Sequence, residues 1–261
     1  MSTLKLAVNL SMIYQEVPLL QRFVAAKAQG FAHVEIQFPY ELSIETLAKT
    51  LAEQQLSLCL INVPAGDLMQ GGLGLAGVPG REAEFAAALD QALDYASALK
   101  VPSINVLAGR QSPHFERADC LATLAQNLNL ACERAAQQQV QVLTEMINGI
   151  NMPGFLIQDI AQGLELLTAV NHPNLKLQYD CYHMAMMGEN VSTCLRDHIQ
   201  HIGHIQFADC PGRHQPDSGE IDFAEFFQSI AQSAYRGFVA AEYVPQPNST
   251  QSMQWKSRYF A

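Results

Sequence analysis

Four polar residues in the second half of the chain end short apolar runs or lie within them. They are Glu145 after Val140–Thr144, Asp180 after Leu175–Tyr179, Gln206 within His204–Phe207, and Glu242 after Phe238–Ala241. Glu145 and Asp180 are 35 residues apart, Asp180 and Gln206 are 26 apart, and Gln206 and Glu242 are 36 apart. Each separation is about one strand-and-helix unit, so the four side chains are predicted to meet at one end of a parallel sheet.

Three carboxylates and one amide oxygen at one place would be unstable without a counter-ion. Unpaired carboxylates in a low-dielectric pocket raise one another's pKa, and a bound cation removes the conflict. Oxygen ligands favour a hard divalent ion such as Mg²⁺ or Mn²⁺. A single carboxylate at a strand end is more commonly a hydrogen-bond acceptor or a partner of a surface lysine. A set of four in consecutive units favours a metal site, because burying unpaired charges is costly.

The elements that must carry these residues are short strands alternating with helices of amphipathic period. The predicted strands are Leu4–Leu10, His33–Phe38, Leu56–Val63, Ser103–Leu107, Val140–Glu145, Leu175–Asp180, His204–Ala208 and Phe238–Glu242. The predicted helices are Val17–Gln29, Ser43–Gln54, Glu82–Leu99, Arg117–Gln138, Ile157–Val170 and Asp222–Ser233. Ser43 is a predicted N-cap, and Gly30 suits a position of positive φ after the first helix.

Eight such units predict an α/β protein with a single (β/α)₈ TIM barrel, since 261 residues give about 33 per unit. The alternative is a doubly wound open sheet. That fold often carries a glycine-rich phosphate turn after its first strand, and here Ser11–Tyr14 follows instead. In a barrel the chemistry lies at the C-terminal ends of the strands, where the four polar residues are predicted to be.

The composition predicts one domain over residues 1–261. The 49% of hydrophobic residues is enough for a large core, and the formal net charge of -10 opposes binding to nucleic acid.

No apolar run spans a bilayer and the first 17 residues lack a basic leader, so we expect a cytoplasmic protein without a membrane partner. Six cysteines without a CxxC pair favour reduced, mostly buried thiols. The outer helices of a barrel offer surfaces for a homo-oligomer.

Longer motifs surround the strand ends. They are HIQFADCPGRHQPDSGEID at 204–222, QYDCYHM at 178–184, NVPAGD at 62–67, PGRE at 79–82, EMIN at 145–148 and MPGF at 152–155. With these motifs, in this order and over nearly the whole chain, the sequence resembles the hydroxypyruvate isomerase family within the larger group of xylose-isomerase-like barrels.

The resemblance implies that a divalent metal is held by Glu145, Asp180, Gln206 and Glu242, the same residues that the spacing selects. It also implies isomerisation of a small oxo/hydroxy acid, for which hydroxypyruvate and tartronate semialdehyde are the name-giving pair. Moving a carbonyl to the adjacent carbon passes through an enediol, and it needs one group to remove a carbon-bound proton and another to return it. We assign Glu145 and Glu242 as this pair, and either can be the first base.

Two further residues are expected to bind the substrate, by their position and by the resemblance. His183 follows the sixth strand, where its imidazole can donate to a substrate oxygen. Arg213, in a loop bounded by Pro211 and Pro216, suits bidentate capture of a carboxylate. The glycine-rich stretch at about residues 65–80 is predicted to be a lid that excludes water, with a surface loop of no catalytic role as the alternative. A C-terminal tail is expected from about residue 246.

The chain departs at four positions from the members of the family that it resembles. They usually carry an arginine where this chain has Leu73, a lysine where it has Val244, a proline where it has Met146 and a glutamate where it has Gln215. Because lost cations weaken carboxylate capture, we expect a substrate other than hydroxypyruvate, such as a four-carbon 2-oxo-tetronate or a related sugar acid.

Three other functions compete with this interpretation. A metal-dependent ketose epimerase would use the same barrel and two glutamates, but usually has a histidine where this chain has Gln206. Cleavage of damaged DNA would need more histidine ligands and a basic surface, which the charge opposes. A non-catalytic sugar-acid-binding barrel would tolerate the loss of either Glu145 or Glu242, and both are present.

Overall fold

Eight short apolar segments form parallel strands in the computed structural model, which describes residues 4–260. The strands are β1 (Lys5–Asn9), β2 (His33–Ile36), β3 (Ser57–Asn62), β4 (Ser103–Val106), β5 (Gln141–Glu145), β6 (Leu175–Asp180), β7 (Ile202–Phe207) and β8 (Phe238–Ala241). They follow one another in sequence order around a closed barrel, in which β8 pairs with β1. The predicted (β/α)₈ fold is confirmed, and the doubly wound alternative is wrong.

Most of the helices connect consecutive strands, and six of them occur where the apolar period predicts them. They are α1 (Leu19–Ala28), α2 (Ile44–Gln54), α3 (Glu82–Leu99), α4 (Arg117–Gln137), α5 (Ile160–Val170), α6 (Cys181–Met186), α7 (Val191–His198), α8 (Phe223–Gln232) and α9 (Trp255–Tyr259). Ser43 caps α2 by accepting a hydrogen bond from the Thr46 N–H, as predicted. Gly30 has φ 76°, the positive value expected of it.

Three helices are not among those predicted, namely α6, α7 and α9. All are short, at six, eight and five residues, so they hold too few turns for an apolar period to be recognised. Two of them begin at side-chain caps. The Asp180 carboxylate accepts from the Tyr182 N–H at the start of α6, and Asn190 accepts from the Thr193 N–H at the start of α7.

The chain divides into two compact units, and the boundaries cut through β3 and β6. The first unit comprises the described residues up to Cys59 together with those from Tyr179 onward, and the second spans Leu60–Gln178. One domain over residues 1–261 stays a prediction, and residues 1–3 and 261 lie outside the described part of the chain. The six cysteines are free and five of them are buried, as predicted.

Each unit has its own apolar interior. In the first, Phe23, Phe207 and Phe226 are fully buried, and in the second Phe85 and Phe155 are. Among residues 4–260, none of the helices is both long and apolar enough to cross a membrane.

Candidate active site

Three of the residues predicted as metal ligands lie in the first unit, each at the C-terminal end of a strand. Asp180 is the last residue of β6, Gln206 is the last but one of β7, and Glu242 directly follows β8. Their side chains are buried, with exposed fractions of 0%, 1% and 3%. Charged and polar groups buried this deeply must be satisfied by specific partners, so their hydrogen bonds define the chemistry available here.

Glu242 is surrounded by hydrogen-bond donors. Its Oε1 accepts from Asn9 Nδ2 at 2.8 Å, from Gln37 Nε2 at 3.0 Å and from Gln206 Nε2 at 3.1 Å. Its Oε2 accepts from Nη2 of Arg213. Asn9 and Gln37 lie at the C-terminal ends of β1 and β2, so neighbouring strands of the barrel converge on this one carboxylate.

A second buried carboxylate, Glu35 on β2, lies beside Glu242. Its Oε1 accepts from Asn9 Nδ2 at 2.8 Å and from Gln206 Nε2 at 2.6 Å. Its Oε2 lies 2.7 Å from Nε2 of His204, which precedes Gln206 by two residues on β7. Both amide protons of Gln206 are therefore directed at carboxylates, and Oε1 is the atom through which Gln206 can bind a cation.

Asp180 combines a structural contact with a charged one. Its Oδ1 caps α6 by accepting from the Tyr182 N–H at 2.9 Å. Its Oδ2 accepts from Arg213 Nη2 at 3.3 Å and lies 3.6 Å from Nε2 of His183 on α6. Arg213 thus contacts both Asp180 and Glu242, and its guanidinium also lies 5.3 Å from the centre of the Tyr182 ring.

Burial sets the protonation of these groups. Removal from water raises the pKa of Glu242 to about 8; the Arg213 charge opposes this rise, whereas Asp180 and Glu35 add to it. Burial also raises the pKa of Asp180, again against the effect of Arg213. The pKa of His183 is held well below its usual value by burial and by the nearby Arg213. His183 is therefore neutral at neutral pH, and without a bound cation Glu242 is mostly protonated there.

The loop that carries Arg213 is held by Asp209, a fully buried residue just beyond β7. The Asp209 carboxylate accepts from four backbone N–H groups, those of Cys210, Ser218, Gly219 and Ile221. Arg213 itself has φ 57°, a left-handed conformation that is uncommon outside glycine, asparagine and aspartate. Its N–H donates to the Asp209 carbonyl and its carbonyl accepts from the Val244 N–H, which fixes where the guanidinium is presented.

The fourth predicted ligand, Glu145, lies in the second unit as the last residue of β5. It is buried, and its Oε2 accepts from Asn105 Nδ2 at 3.0 Å. The same Asn105 amide donates to Asn62 Oδ1 at 3.2 Å. Asn62 and Asn105 are register partners near the ends of β3 and β4, so the strand ends of this unit also carry a chain of buried polar groups.

The glycine-rich loop predicted as a lid, at residues 65–80, is tied together by Asp67. Its Oδ1 accepts from the Gly74 N–H at 3.0 Å and from Arg81 Nη1 at 3.3 Å. A Cβ at Gly72 would lie 2.1 Å from the Asp67 carboxyl carbon, so this close approach requires glycine. Leu75, Ala76 and Val78 of the loop are buried. Closing of the loop over a substrate stays a prediction.

The four positions that depart from the resembled family differ in their surroundings. Val244, two residues after Glu242, is 46% exposed, whereas Met146 is fully buried. Gln215 pairs with Gln246 through two hydrogen bonds, one to its carbonyl and one from its N–H. The Leu73 carbonyl accepts from the Arg110 N–H. The contacts of Gln215 are amide and backbone contacts, where a glutamate would bring a charge.

Asn9, Glu35 and Gln37 belong to this site and are not among the sequence predictions. The signal for two of them is in the sequence, because Asn9 and Glu35 also end or nearly end apolar strands and are 26 residues apart. In the described chain each of the eight strands has a buried polar residue within its last two positions or directly after it. They are Asn9, Glu35, Asn62, Asn105, Glu145, Asp180, Gln206 and Glu242.

Comparisons with known proteins agree over nearly the whole chain. The family model of the xylose isomerase-like TIM barrel matches residues 23–259. A 2-oxo-tetronate isomerase of Cupriavidus necator is 39% identical over 255 residues, which is 98% of this chain and 98% of that protein. A hydroxypyruvate isomerase of Escherichia coli is 39% identical over 256 residues, or 98% of this chain and 99% of that protein. The crystal structure of an AP endonuclease, family 2, from Brucella melitensis has a TM-score of 0.95 and 34% identity, covering 98% of this chain and 99% of that one.

Proposed function

The chain belongs to the xylose isomerase-like TIM barrel family, and from this premise we propose that it isomerises a small oxo/hydroxy acid. The observation that carries the proposal is the buried Glu242 carboxylate, which four donors hold at the end of β8 and whose pKa is raised to about 8. A general acid/base works best when its pKa lies near the working pH. Without a bound cation Glu242 meets this condition, and its donors hold it in one position, so it suits the removal and return of a carbon-bound proton.

The proposed substrate is a short 2-oxo acid with a hydroxyl on the neighbouring carbon. The two relatives compared above are named for hydroxypyruvate and for 2-oxo-tetronate. We favour the four-carbon acid, because Val244 and Leu73 stand where a lysine and an arginine would help to hold a small, compact carboxylate. Val244 follows Glu242 by two residues and its side chain is exposed, so in this proposal it gives apolar contact to a longer carbon chain.

The donor set fits a hard divalent cation. Asp180 and Glu242 offer carboxylate oxygens, and Gln206 offers an amide oxygen. All three side chains are buried, so a bound cation would offset the cost of burying the two carboxylates in their charged form. We propose that Mg²⁺ or Mn²⁺ is held by these three residues and Glu145. When bound, such an ion polarises a carbonyl and stabilises negative charge on neighbouring oxygens.

Glu145 is assigned as the second acid/base group. It ends β5 as Asp180 ends β6, and β5 and β6 are adjacent in the barrel. Its register partner is Gln178, which precedes Asp180 by two residues on the same strand. Residues two apart on a strand point to the same side, which supports Glu145 as a companion of Asp180. The Asn105 amide holds one of its carboxylate oxygens.

His183 and Arg213 are proposed to bind the substrate rather than to transfer its proton. A neutral His183 can donate one N–H to an oxygen that becomes negative in the enediolate, without competing as a base. Arg213 carries the positive charge that pairs with a carboxylate, and its left-handed backbone turns it toward Asp180 and Glu242.

The cleavage of DNA suggested by the name of the Brucella structure is disfavoured by the net charge of -10.

The proposal is tested by following proton exchange. Metal-stripped protein is incubated in D₂O with Mg²⁺ or Mn²⁺ and one of several acids: hydroxypyruvate, 2-oxo-tetronates or their isomers. NMR then measures deuterium on carbon and the appearance of product. We expect metal-dependent exchange and isomerisation, faster with a four-carbon acid than with hydroxypyruvate.

Absence of exchange with every acid would overturn the proposal. Exchange with free ketoses instead would indicate the epimerase, and a rise in melting temperature without exchange would indicate a binding protein. Comparable turnover of hydroxypyruvate and all longer acids would contradict the four-carbon preference alone.

A further inference from the structure

Glu35 is a buried acid that the proposed reaction does not use. Its exposed fraction is 1%, and it lies on β2, near the C-terminal end of the strand. Three side chains contact its two oxygens, namely Asn9 and Gln206 at Oε1 and His204 at Oε2. A buried carboxylate is costly unless it is fully hydrogen-bonded, so this set of partners indicates a specific role rather than chance placement.

Asn9 and Gln206 each connect Glu35 to Glu242. Asn9 Nδ2 is 2.8 Å from Oε1 of both carboxylates. Gln206 Nε2 is 2.6 Å from Glu35 Oε1 and 3.1 Å from Glu242 Oε1. The two carboxylates are therefore joined by two bridges that use the same pair of oxygens, and a shift of Glu35 would release both bridges together.

A carboxylate determines which end of an amide it contacts. An ionised carboxylate only accepts hydrogen bonds, whereas an amide has a donating NH₂ and an accepting carbonyl at opposite ends. With Glu35 in place, the Gln206 NH₂ must face the two acids and its Oε1 must face away from them. The Asn9 amide is fixed in the same way, because its Oδ1 accepts from the Ser11 and Met12 N–H groups at the other end.

We propose that Glu35 is a positioning residue that fixes the amide of Gln206 and, through the two bridges, the carboxylate of Glu242. The roles of Gln206 as an oxygen ligand and of Glu242 as an acid/base group rest on the proposed function. The orientation of the amides rests only on the contacts described above. His204 completes the arrangement by holding the second oxygen of Glu35, so the carboxylate cannot rotate away from its amide partners.

The test compares Glu35→Gln with Glu35→Asp. The glutamine has the size of glutamate but replaces one of its two acceptor oxygens with an NH₂. Acceptor oxygens then no longer face Asn9, Gln206 and His204 together, so the amides lose their fixed orientation. We expect kcat to fall about 100-fold with KM changed less than threefold, as for a small misplacement of reacting groups. Mn²⁺ affinity, measured by electron paramagnetic resonance, should fall about 10-fold or more, as for loss of an outer partner of a metal ligand. Glu35→Asp keeps an acceptor-only group and should recover part of both losses.

The matched control is Tyr235→Phe, which removes hydrogen bonds to the Phe238 and Gly203 carbonyls and leaves the side-chain hydrogen bonds of Glu35 in place. We expect a lower melting temperature for this variant with unchanged kcat and Mn²⁺ affinity. If Tyr235→Phe and Glu35→Gln lose kcat to the same extent, Glu35 acts only through general stability and the proposal is wrong.

A third measurement separates this proposal from the proposed function. The side-chain amide signals of Asn9 and Gln206 are followed by ¹⁵N NMR without metal or substrate. We expect slow hydrogen exchange at both in the wild type and in Glu35→Asp, and faster exchange with shifted signals in Glu35→Gln. Unchanged signals would overturn the role of Glu35 even in an active isomerase. Shifted signals in a protein without isomerase activity would support the role of Glu35 and reject the proposed reaction.

Discussion

Gln206 and Phe207 are neighbours on β7 that face opposite environments. The Gln206 amide lies among buried acids and donates to Glu35 and Glu242. The Phe207 ring packs against an aromatic layer, with ring centres 5.1 Å from both Phe227 and Trp255. Successive side chains of a strand point to opposite faces, so one strand separates a charged interior from an aromatic layer formed with α8 and α9.

The two sides contribute differently to the protein. The aromatic layer removes large apolar surfaces from water and is expected to supply much of the local stability. Burial of the acids on the other side disfavours their charged forms. This effect raises the pKa of Glu242 to about 8. Stability and chemistry are therefore expected to respond to different substitutions, although the residues concerned are adjacent in sequence.

The largest expected effect is on catalysis, from Glu242→Gln. The substitution removes the proton-transferring carboxylate and keeps the shape of the side chain, so we expect kcat to fall about 10⁴-fold. The melting temperature should change little, because Arg213 keeps its ion pair with Asp180 when residue 242 is neutral. Steady-state kinetics and calorimetry on the same preparation test both parts. Retention of more than a tenth of the wild-type kcat would reject Glu242 as the acid/base group.

The next effect is on stability, from Phe207→Ala on the aromatic side. Truncating a fully buried phenylalanine leaves a cavity, so the free energy of unfolding should fall by about 3–5 kcal/mol. Urea denaturation measures this change. Well below the melting temperature, kcat should stay within about fivefold of the wild type, because the polar side of β7 keeps its contacts. A 100-fold loss of kcat in the folded variant would show that the two faces of the strand are not independent.

The fold was predictable because each barrel strand is a short apolar run, and the observed strands begin and end within about two residues of the predicted ones. The same property makes Glu145, Asp180 and Glu242 visible, since a glutamate or aspartate stands out after an apolar segment. Glu35 lies within its apolar run and was not predicted. The amides are less distinct. Asn9, Asn62 and Asn105 are typical of turns as well as of sites, so their residue type alone does not indicate that they are buried beside acids.

Other features depend on contacts that no local pattern encodes. Arg213 meets Asp180, 33 residues away, and Glu242, 29 residues away, because Asp209 folds the intervening loop and Arg213 adopts a left-handed backbone. The shared use of Asn9 by Glu35 and Glu242 requires β1 to lie between β2 and β8, which only barrel closure provides. Such long-range partners need the three-dimensional fold.

The smallest expected effect is a pH dependence of stability on the charged side. A carboxyl whose pKa is raised on folding binds its proton more tightly in the folded state, so it stabilises the protein at low pH. That contribution is lost as the pH rises from the ordinary value of 4.5 toward about 8. Within this window, the free energy of unfolding of the metal-free wild type should therefore fall by at most about 1.4 kcal/mol per pH unit relative to that of Glu242→Gln. Asp180, whose pKa is also raised, adds a slope of the same sign.

Denaturation of both proteins at pH 5.5, 6.5 and 7.5, in the presence of a chelator, measures this difference. The experiment sharpens the contrast between the two faces of β7, because Phe207→Ala should shift the stability equally at each pH while Glu242→Gln changes its slope. Saturating Mg²⁺ should remove the slope of the wild type, since a bound cation favours the ionised carboxylates that rising pH creates. Parallel stability curves for metal-free wild type and Glu242→Gln would mean that Glu242 ionises near its ordinary pKa, and that its burial does not prepare it for proton transfer at neutral pH.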